Sequence, residues 1–162
     1  MFREYDQARR AYLFALKCDP NNERTMRELL QLQIHLRDFP GFEETSRKLL
    51  MLKPSTMQHW VTLAAACYSN RNYVGCLQAL ESVLKFSSGD EASRLKPTEA
   101  SEVVLLALRA LNKQGKHAEA LTFFNKHKDR IVDPVSKADY LGRIHLALGN
   151  EIECVNAYEE LL

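Results

Sequence analysis

Small and bulky apolar residues alternate at helical spacing along this chain. Ala8, Tyr12 and Ala15 lie four and three positions apart. On a helix they form one stripe, in which the small residues admit a neighbouring helix and the ring fills the gap. Pro20 closes that segment, and Pro54, 34 residues later, closes the next one. Between them Leu29, Leu30, Leu32 and Ile34 predict one helix, Arg37-Asp38-Phe39-Pro40-Gly41 a reversal, and Phe42, Leu49, Leu50 and Leu52 a second helix. A period of this length is that of stacked helix pairs, each burying its apolar face on its neighbours.

The pattern continues. A unit over 57–86 carries Trp60, Leu63, Ala64 and Cys67, turns at Asn70-Arg71-Asn72-Tyr73, and resumes with Cys76, Leu80 and Val83. A unit over 100–133 turns at Gly115-Lys116-His117 before Ala120 and Phe124. The last, from 135 to 162, shows Leu141-Gly142, a turn at Gly149-Asn150, then Cys154, Tyr158 and Leu161. Gly115 and Gly149 are again 34 apart, at points where the chain reverses and a left-handed backbone is expected. Residues 1–22 read as the second helix of a repeat that lacks its first. The polar run 87–99 reads as a loop between units. With no polar closing helix in its last unit, the chain is expected to be a fragment of a longer protein.

Spacing and residue types at these positions, with Trp60 and Leu63 the best match, resemble the tetratricopeptide repeat. The fold class that follows is all-α: a single tetratricopeptide-repeat α-solenoid of antiparallel helix pairs, winding as a right-handed superhelix. The repeat units are 23–56, 57–86, 100–133 and 135–162.

Composition adds constraints more than direction. Of 162 residues 46% are hydrophobic and 27% charged, ordinary for a folded domain, and the formal net charge of +1 announces no nucleic-acid or membrane partner. Cys18, Cys67, Cys76 and Cys154 form no Cys-x-x-Cys pair and no metal-finger spacing with histidine, and read as buried thiols of a reducing compartment. No run approaches the roughly 20 apolar residues that span a bilayer, and the opening residues are not a secretory segment. These features point to a cytosolic protein.

Catalytic groupings are missing from the pattern. There is no Gly-x-Ser-x-Gly elbow, Walker loop or His-Glu-x-x-His, and the five histidines fall in different units. Glu43-Glu44 and Glu159-Glu160 are adjacent carboxylates, but helix neighbours point about 100° apart and read as solvated faces. Nor is there a glycine-rich turn suited to a pyrophosphate. The chain reads as a scaffold with no catalytic, cofactor-binding or metal residues of its own.

The repeat resemblance implies a groove lined by the first helix of each unit. In register these are Arg24, Arg27, Gln31 and His35; Gln58, Val61, Ala65 and Tyr68; Glu102, Leu105, Arg109, Asn112 and Lys113; and Asp139 and Arg143. Arginine and tyrosine there make plausible anchors for a partner, because they bring contact area and several donors, while the plain alternative is a solvated inner face. A carboxylate clamp of lysines and asparagines is absent, with Val61 and Ala65 at inward positions, which takes most of the weight from the cochaperone reading. The cluster Lys126, His127, Lys128 and Arg130 is first read as cations favoured at a helix C-terminus, and second as a contact for ribosomal RNA phosphates.

A narrower resemblance rests on Leu29 to Ile34, Arg37, Asp38, Gly41, Phe42, Leu49, Leu50, Leu52 and Pro54, with Trp60, Tyr73 and the polar insertion after Phe86. This stretch is similar to the auxiliary subunits of the N-terminal acetyltransferase A (NatA) complex, and its distinctive part covers residues 5–86. The resemblance implies a non-catalytic horseshoe around a GNAT-fold catalytic subunit, docked near the ribosomal exit tunnel, with acetyl-CoA held by the partner. It implies a cytoplasmic, ribosome-associated protein that acts on nascent chains. The other reading is a generic peptide-binding repeat adaptor. Self-association through uncapped faces is a further expectation; a membrane or sequence-specific nucleic-acid partner is not.

Overall fold

The computed structural model describes residues 2–87 and 95–159, and among these the chain is built of α-helices with no strand. In order they are α1 (Phe2–Cys18), α2 (Glu23–His35), α3 (Phe39–Leu52), α4 (Met57–Ser69), α5 (Tyr73–Phe86), α6 (Pro97–Lys113), α7 (His117–His127), α8 (Pro134–Ala147) and α9 (Glu151–Glu159). A 3₁₀ turn, Lys128–Arg130, follows α7. The all-α fold class expected from the periodicity is what the chain adopts. Residues 88–94 of the polar loop, together with Glu160 and Leu161, lie outside the described residues.

Local chemistry sets the starts of these helices. Asn22 caps α2 by accepting from the Thr25 N–H at 2.9 Å, and Asp38 caps α3 by accepting from the Gly41 N–H at 3.1 Å. Asp133 caps α8 by accepting from the N–H groups of Val135 and Ser136. Each satisfies an amide that has no helical partner. Pro40, Pro97 and Pro134 sit in first turns, where a missing N–H costs nothing.

The helices form two compact units, Met1–Asn72 and Tyr73–Leu162; the boundary falls inside the repeat read at 57–86. In the first, α1 packs on α2, α2 on α3 and α3 on α4. Its core joins Met26, Leu30, Phe42, Leu49 and Ala66, with Leu16 and Leu52 at the edge. In the second, each of α5 to α9 packs on the next. Leu80, Val104, Leu108, Phe124 and Ile144 are each at most 1% exposed there. Leu30, Phe42, Leu49, Leu52, Leu80 and Phe124 are among the apolar positions that the repeat pattern singles out. Cys18 departs from expectation: Cys67 and Cys76 are buried, but Cys18, on the last turn of α1, is exposed, and Cys154 is intermediate.

One backbone device recurs at the end of α2, α4, α6 and α8. The residue after the C-cap holds positive φ: Arg37 at 55°, Arg71 at 60°, Gly115 at 71° and Gly149 at 77°. The next residue reaches back across the turn: Asp38 N–H to Gln33 O at 2.9 Å, Asn72 to Cys67 at 2.8 Å, Lys116 to Leu111 at 3.1 Å, and Asn150 to His145 at 2.9 Å. The positive-φ residue donates to the carbonyl three back: Arg37 to Ile34 and Arg71 to Tyr68, both at 3.1 Å, Gly115 to Asn112 at 3.0 Å, and Gly149 to Leu146 at 3.1 Å. This is the Schellman arrangement, which pairs carbonyls that would otherwise end unsatisfied. The expected left-handed glycines are therefore present, and two arginines hold the same conformation without glycine's freedom.

Left-handed backbone costs an L-residue about 1–2 kcal/mol, part of which glycine returns as unfolded-state entropy. Arg37→Gly and Arg71→Gly, both at exposed side chains, are each expected to raise the unfolding free energy by about 0.5–1 kcal/mol. Gly115→Ala is expected to lower it by about 1 kcal/mol. Urea denaturation midpoints at constant slope measure both; equal midpoints for all three variants would refute the strain argument.

Candidate partner-binding surface

Arg24, Arg27, Gln31 and His35 all lie exposed on α2. The helix itself neutralises its arginines: Arg24 donates to Glu28 at 3.1 Å, and Arg27 pairs with Glu23. Glu23 also takes a hydrogen bond from Lys53 at the end of α3, the main reason its carboxyl is held below its usual range. Buried His59 presents its Nε2 at 3.9 Å from Glu23. The two arginines named for the groove on this helix are thus held in ion pairs. On α4, Gln58 and Ala65 are exposed, and Val61 and Tyr68 are half-buried. A cleft of about 450 Å³ also opens in this unit, among α1, α2 and α3; Leu13, Leu16, Met26, Leu29 and buried Gln33 line it, and no predicted groove residue does.

In the second unit the predicted residues are tied to one another. Arg109 on α6 donates from Nε to the Tyr140 hydroxyl on α8, with its guanidinium carbon 5.8 Å from the ring centroid. Arg143 donates to Asp139 at 3.0 Å, which keeps the guanidinium firmly charged. The Tyr158 hydroxyl reaches the same Asp139 oxygen at 3.4 Å, and burial followed by the Asp139 charge raises its pKa. That reach depends on Gly142, where a Cβ would sit 2.5 Å from the Tyr158 ring. Lys113 and Glu102 are exposed and Asn112 is half-buried. Leu105 is 3% exposed and belongs to the core rather than the surface. Tyr140 was not among the predicted residues; its signal was an aromatic next to Asp139.

The carboxylate pair Glu43-Glu44 departs from the solvated-face reading. Glu44 is exposed and pairs with Lys48 at 2.7 Å, but Glu43 is 8% exposed and fully engaged. Its Oε1 accepts from Arg47 Nη2 and from Asn72 Nδ2, each at 2.7 Å, and its Oε2 accepts from Asn70 Nδ2 at 2.8 Å. One buried carboxylate therefore fastens α3 to the turn that follows α4. Burial alone would raise its pKa, but the hydrogen bonds from Asn70, Arg47 and Asn72 together hold it down to about 2. Burial first, and the Glu43 charge second, push the neighbouring Cys67 thiol up to about 11. It is a protonated core thiol at neutral pH, without nucleophilic character.

No group of three potential metal ligands exists among the described residues. Lys126 and His127 occupy the last turn of α7, as the macrodipole reading places them. The His127 ring lies tilted against Phe123, centroids 4.6 Å apart, and burial, then Arg130 and Lys126, lower its pKa. No helix among the described residues is long and apolar enough to cross a membrane.

The Glu43 network gives a pH dependence with a definite sign. A folded pKa of about 2, below the usual 4.5, stabilises the fold fully above about pH 4.5 and progressively less as pH falls toward 2. Glu43→Gln is expected to cost roughly 2–3 kcal/mol at neutral pH and to flatten the acid limb of stability over that window. Thermal unfolding of both proteins across a pH series measures it; parallel acid limbs would show that Glu43 is not the titrating group.

No protein-family model matches the chain. Curated relatives do. The N-terminal acetyltransferase A complex auxiliary subunit NAA15 of Arabidopsis thaliana is 31% identical over 160 residues, covering 99% of this chain and 18% of the relative. The N-alpha-acetyltransferase 16, NatA auxiliary subunit, of Homo sapiens is 29% identical over 161 residues, with the same shares. Among solved structures, a chain of Naa15/Naa10 bound to HypK-THB matches with a TM-score of 0.85 at 26% identity, over 99% of this chain and 24% of that one. A tetratricopeptide repeat protein from Parabacteroides merdae matches at 15% identity and a TM-score of 0.57, over 98% and 58% of the respective chains, and shares the fold alone. In sequence along 99% of its length, and in fold, this chain is thus similar to NatA auxiliary subunits, and it spans 18% of the length of those curated relatives.

Proposed function

We propose that this chain is part of a non-catalytic scaffold of the NatA auxiliary type. It binds a GNAT-fold catalytic subunit and supports ribosome-associated, co-translational N-terminal acetylation in the cytoplasm. The observation that carries this reading is the similarity, over 99% of the chain, to proteins named as NatA auxiliary subunits. The similar solved chain comes from a complex of Naa15 with Naa10.

The residues support the same division of labour. A helical array buries its core between neighbours and leaves an extended surface for a partner, so it positions an enzyme without supplying reacting groups. Cys67, the buried thiol nearest a carboxylate and a guanidinium, is held protonated. Acetyl-CoA belongs to the catalytic partner in this reading. The contact surface we assign to the chain is Arg24, Arg27, Gln31 and His35 on α2, Gln58 and Tyr68 on α4, Arg109 and Lys113 on α6, and Arg143 on α8. Arg109 and Arg143 are its best anchors, because Tyr140 and Asp139 already orient their guanidinium groups. The exposed polar face of α2 also suits an extended peptide, the alternative adaptor role.

Affinity purification of the tagged chain from its own cells, with mass spectrometry and an acetylation assay on a Ser-starting peptide, separates the two roles. A GNAT-fold subunit with activity toward that peptide is expected. Arg109→Ala combined with Arg143→Ala is expected to cut its recovery about tenfold. Unrelated clients with no acetyltransferase would overturn the scaffold reading and leave the adaptor.

A further inference from the structure

The cleft of about 450 Å³ among α1, α2 and α3 contains an unpaired polar group. Gln33, on the last turn of α2, is 3% exposed, and its Oε1 meets no hydrogen-bond donor. A buried amide left in that state costs free energy until a donor arrives. Gly41 keeps room for it, since a Cβ there would sit 2.7 Å from Gln33 Nε2. Leu13 and Leu16 of α1 and Met26 and Leu29 of α2 supply the apolar surface. Leu13, Leu16 and Lys17 form one stripe along the second half of α1, turned toward α3. The cleft therefore lies between helices, not on the outer side of α1. At its rim Asp38 is taken by the Gly41 N–H and Arg9, and Glu44 by Lys48. That leaves exposed Lys17 as the rim charge with no ion pair among the described residues.

From Met26 to Gln33 the floor runs along two turns of helix, about 10 Å, the length of about three residues of extended chain. A short turn joins α1 to α2, so Lys17, on the last turn of α1, lies by the Met26 end and Gln33 at the other. An extended peptide turns the N–H and C=O of one residue to the same side, which matches the acceptor and donor of a glutamine amide. We infer that this cleft binds the apolar C-terminal end of a partner protein. About three extended residues lie along α2, with their side chains against Leu13, Leu16, Met26 and Leu29. Gln33 Oε1 accepts a peptide N–H, and Lys17 meets the terminal carboxylate. A cleft this short, with an amide at one end and a free cation at the other, takes a chain end and not a passing segment. None of these residues belongs to the contact surface assigned above, so the site stands apart from that reading.

Titration of the isotopically labelled full chain with the acetylated tripeptide Ac-Val-Leu-Val, followed by NMR, tests this. Saturable shifts are expected at the Gln33 side-chain amide and at Leu13, Leu16 and Leu29. The same peptide with a C-terminal carboxamide is expected to bind about threefold more weakly. Of its three singly N-methylated forms, the one that blocks the N–H given to Gln33 is expected to lose about tenfold. Gln33→Met, checked for folding by circular dichroism, is expected to abolish that N-methyl difference, and Lys17→Gln to abolish the preference for the carboxylate. The comparison of peptides on the wild-type chain stands even if a variant fails to fold. Absence of saturable shifts in the cleft, or equal affinities for the parent and all three N-methylated peptides, would overturn the inference. Equal binding of carboxylate and carboxamide would overturn the assignment to a chain end, and an N-methyl difference that survives in folded Gln33→Met would remove Gln33 from the site.

Discussion

Each hairpin at the ends of α2, α4, α6 and α8 is closed by a residue that holds φ above zero while two N–H groups reach back across the last helical turn. The reversal leaves room for only one residue in that conformation, and the carbonyls it covers would otherwise be left unpaired. Once it is made, the direction of the second helix follows, and with it the face that helix offers the core. The apolar stripes then need only be of the right size: Ala64 and Ala120 are fully buried small residues, and Leu80 and Phe124 are buried large ones. The same constraint accounts for a repeat that shows mainly in spacing, because a turn with this hydrogen bonding accepts arginine or glycine alike at some cost in strain.

Glu43 does in side-chain chemistry what those turns do in backbone. Its carboxylate gathers Arg47 from its own helix and Asn70 and Asn72 from the turn after α4, all within hydrogen-bonding distance. A charge in so buried a place is tolerable only because donors surround it. It acts on its surroundings too, by helping to keep the Cys67 proton in place. A residue that passes for a surface acid in the sequence thus adds to burial in holding the nearest thiol protonated, and that thiol is structural.

Much of the fold was legible because helix pairs write themselves in the sequence as periodic size alternation. Trp60, Leu63 and Phe124 stood in register, and Gly115 and Gly149 marked reversals that glycine alone adopts freely. Arg37 and Arg71 did not announce theirs, since nothing in an arginine predicts positive φ; only their register with the glycines carried that information. Glu43 was misread for a related reason. Adjacent carboxylates look alike in a sequence, and which of them turns inward depends on Asn70 and Asn72, 27 and 29 residues away. The groove positions named from the sequence are a mixture of exposed and half-buried residues, except Leu105, an apolar side chain that lies in the core. Their pairings, Arg109 with Tyr140 and Arg143 with Asp139, came only from the structure.

The spacing of the four turns records where this architecture accepts change. Arg37 to Arg71 and Gly115 to Gly149 are each 34 residues, but Arg71 to Gly115 is 44. Most of the surplus sits in the join between α5 and α6, outside any hairpin closed by a positive-φ residue, and the rest lengthens α6. Lengthening a connection costs free energy only as the logarithm of its length, whereas one residue added inside a Schellman turn would unpair its carbonyls and rotate the next helix off its stripe. Descendants of such a chain can therefore vary in length at that join while every closing turn keeps its hydrogen bonds, and it is the natural place to graft a foreign segment.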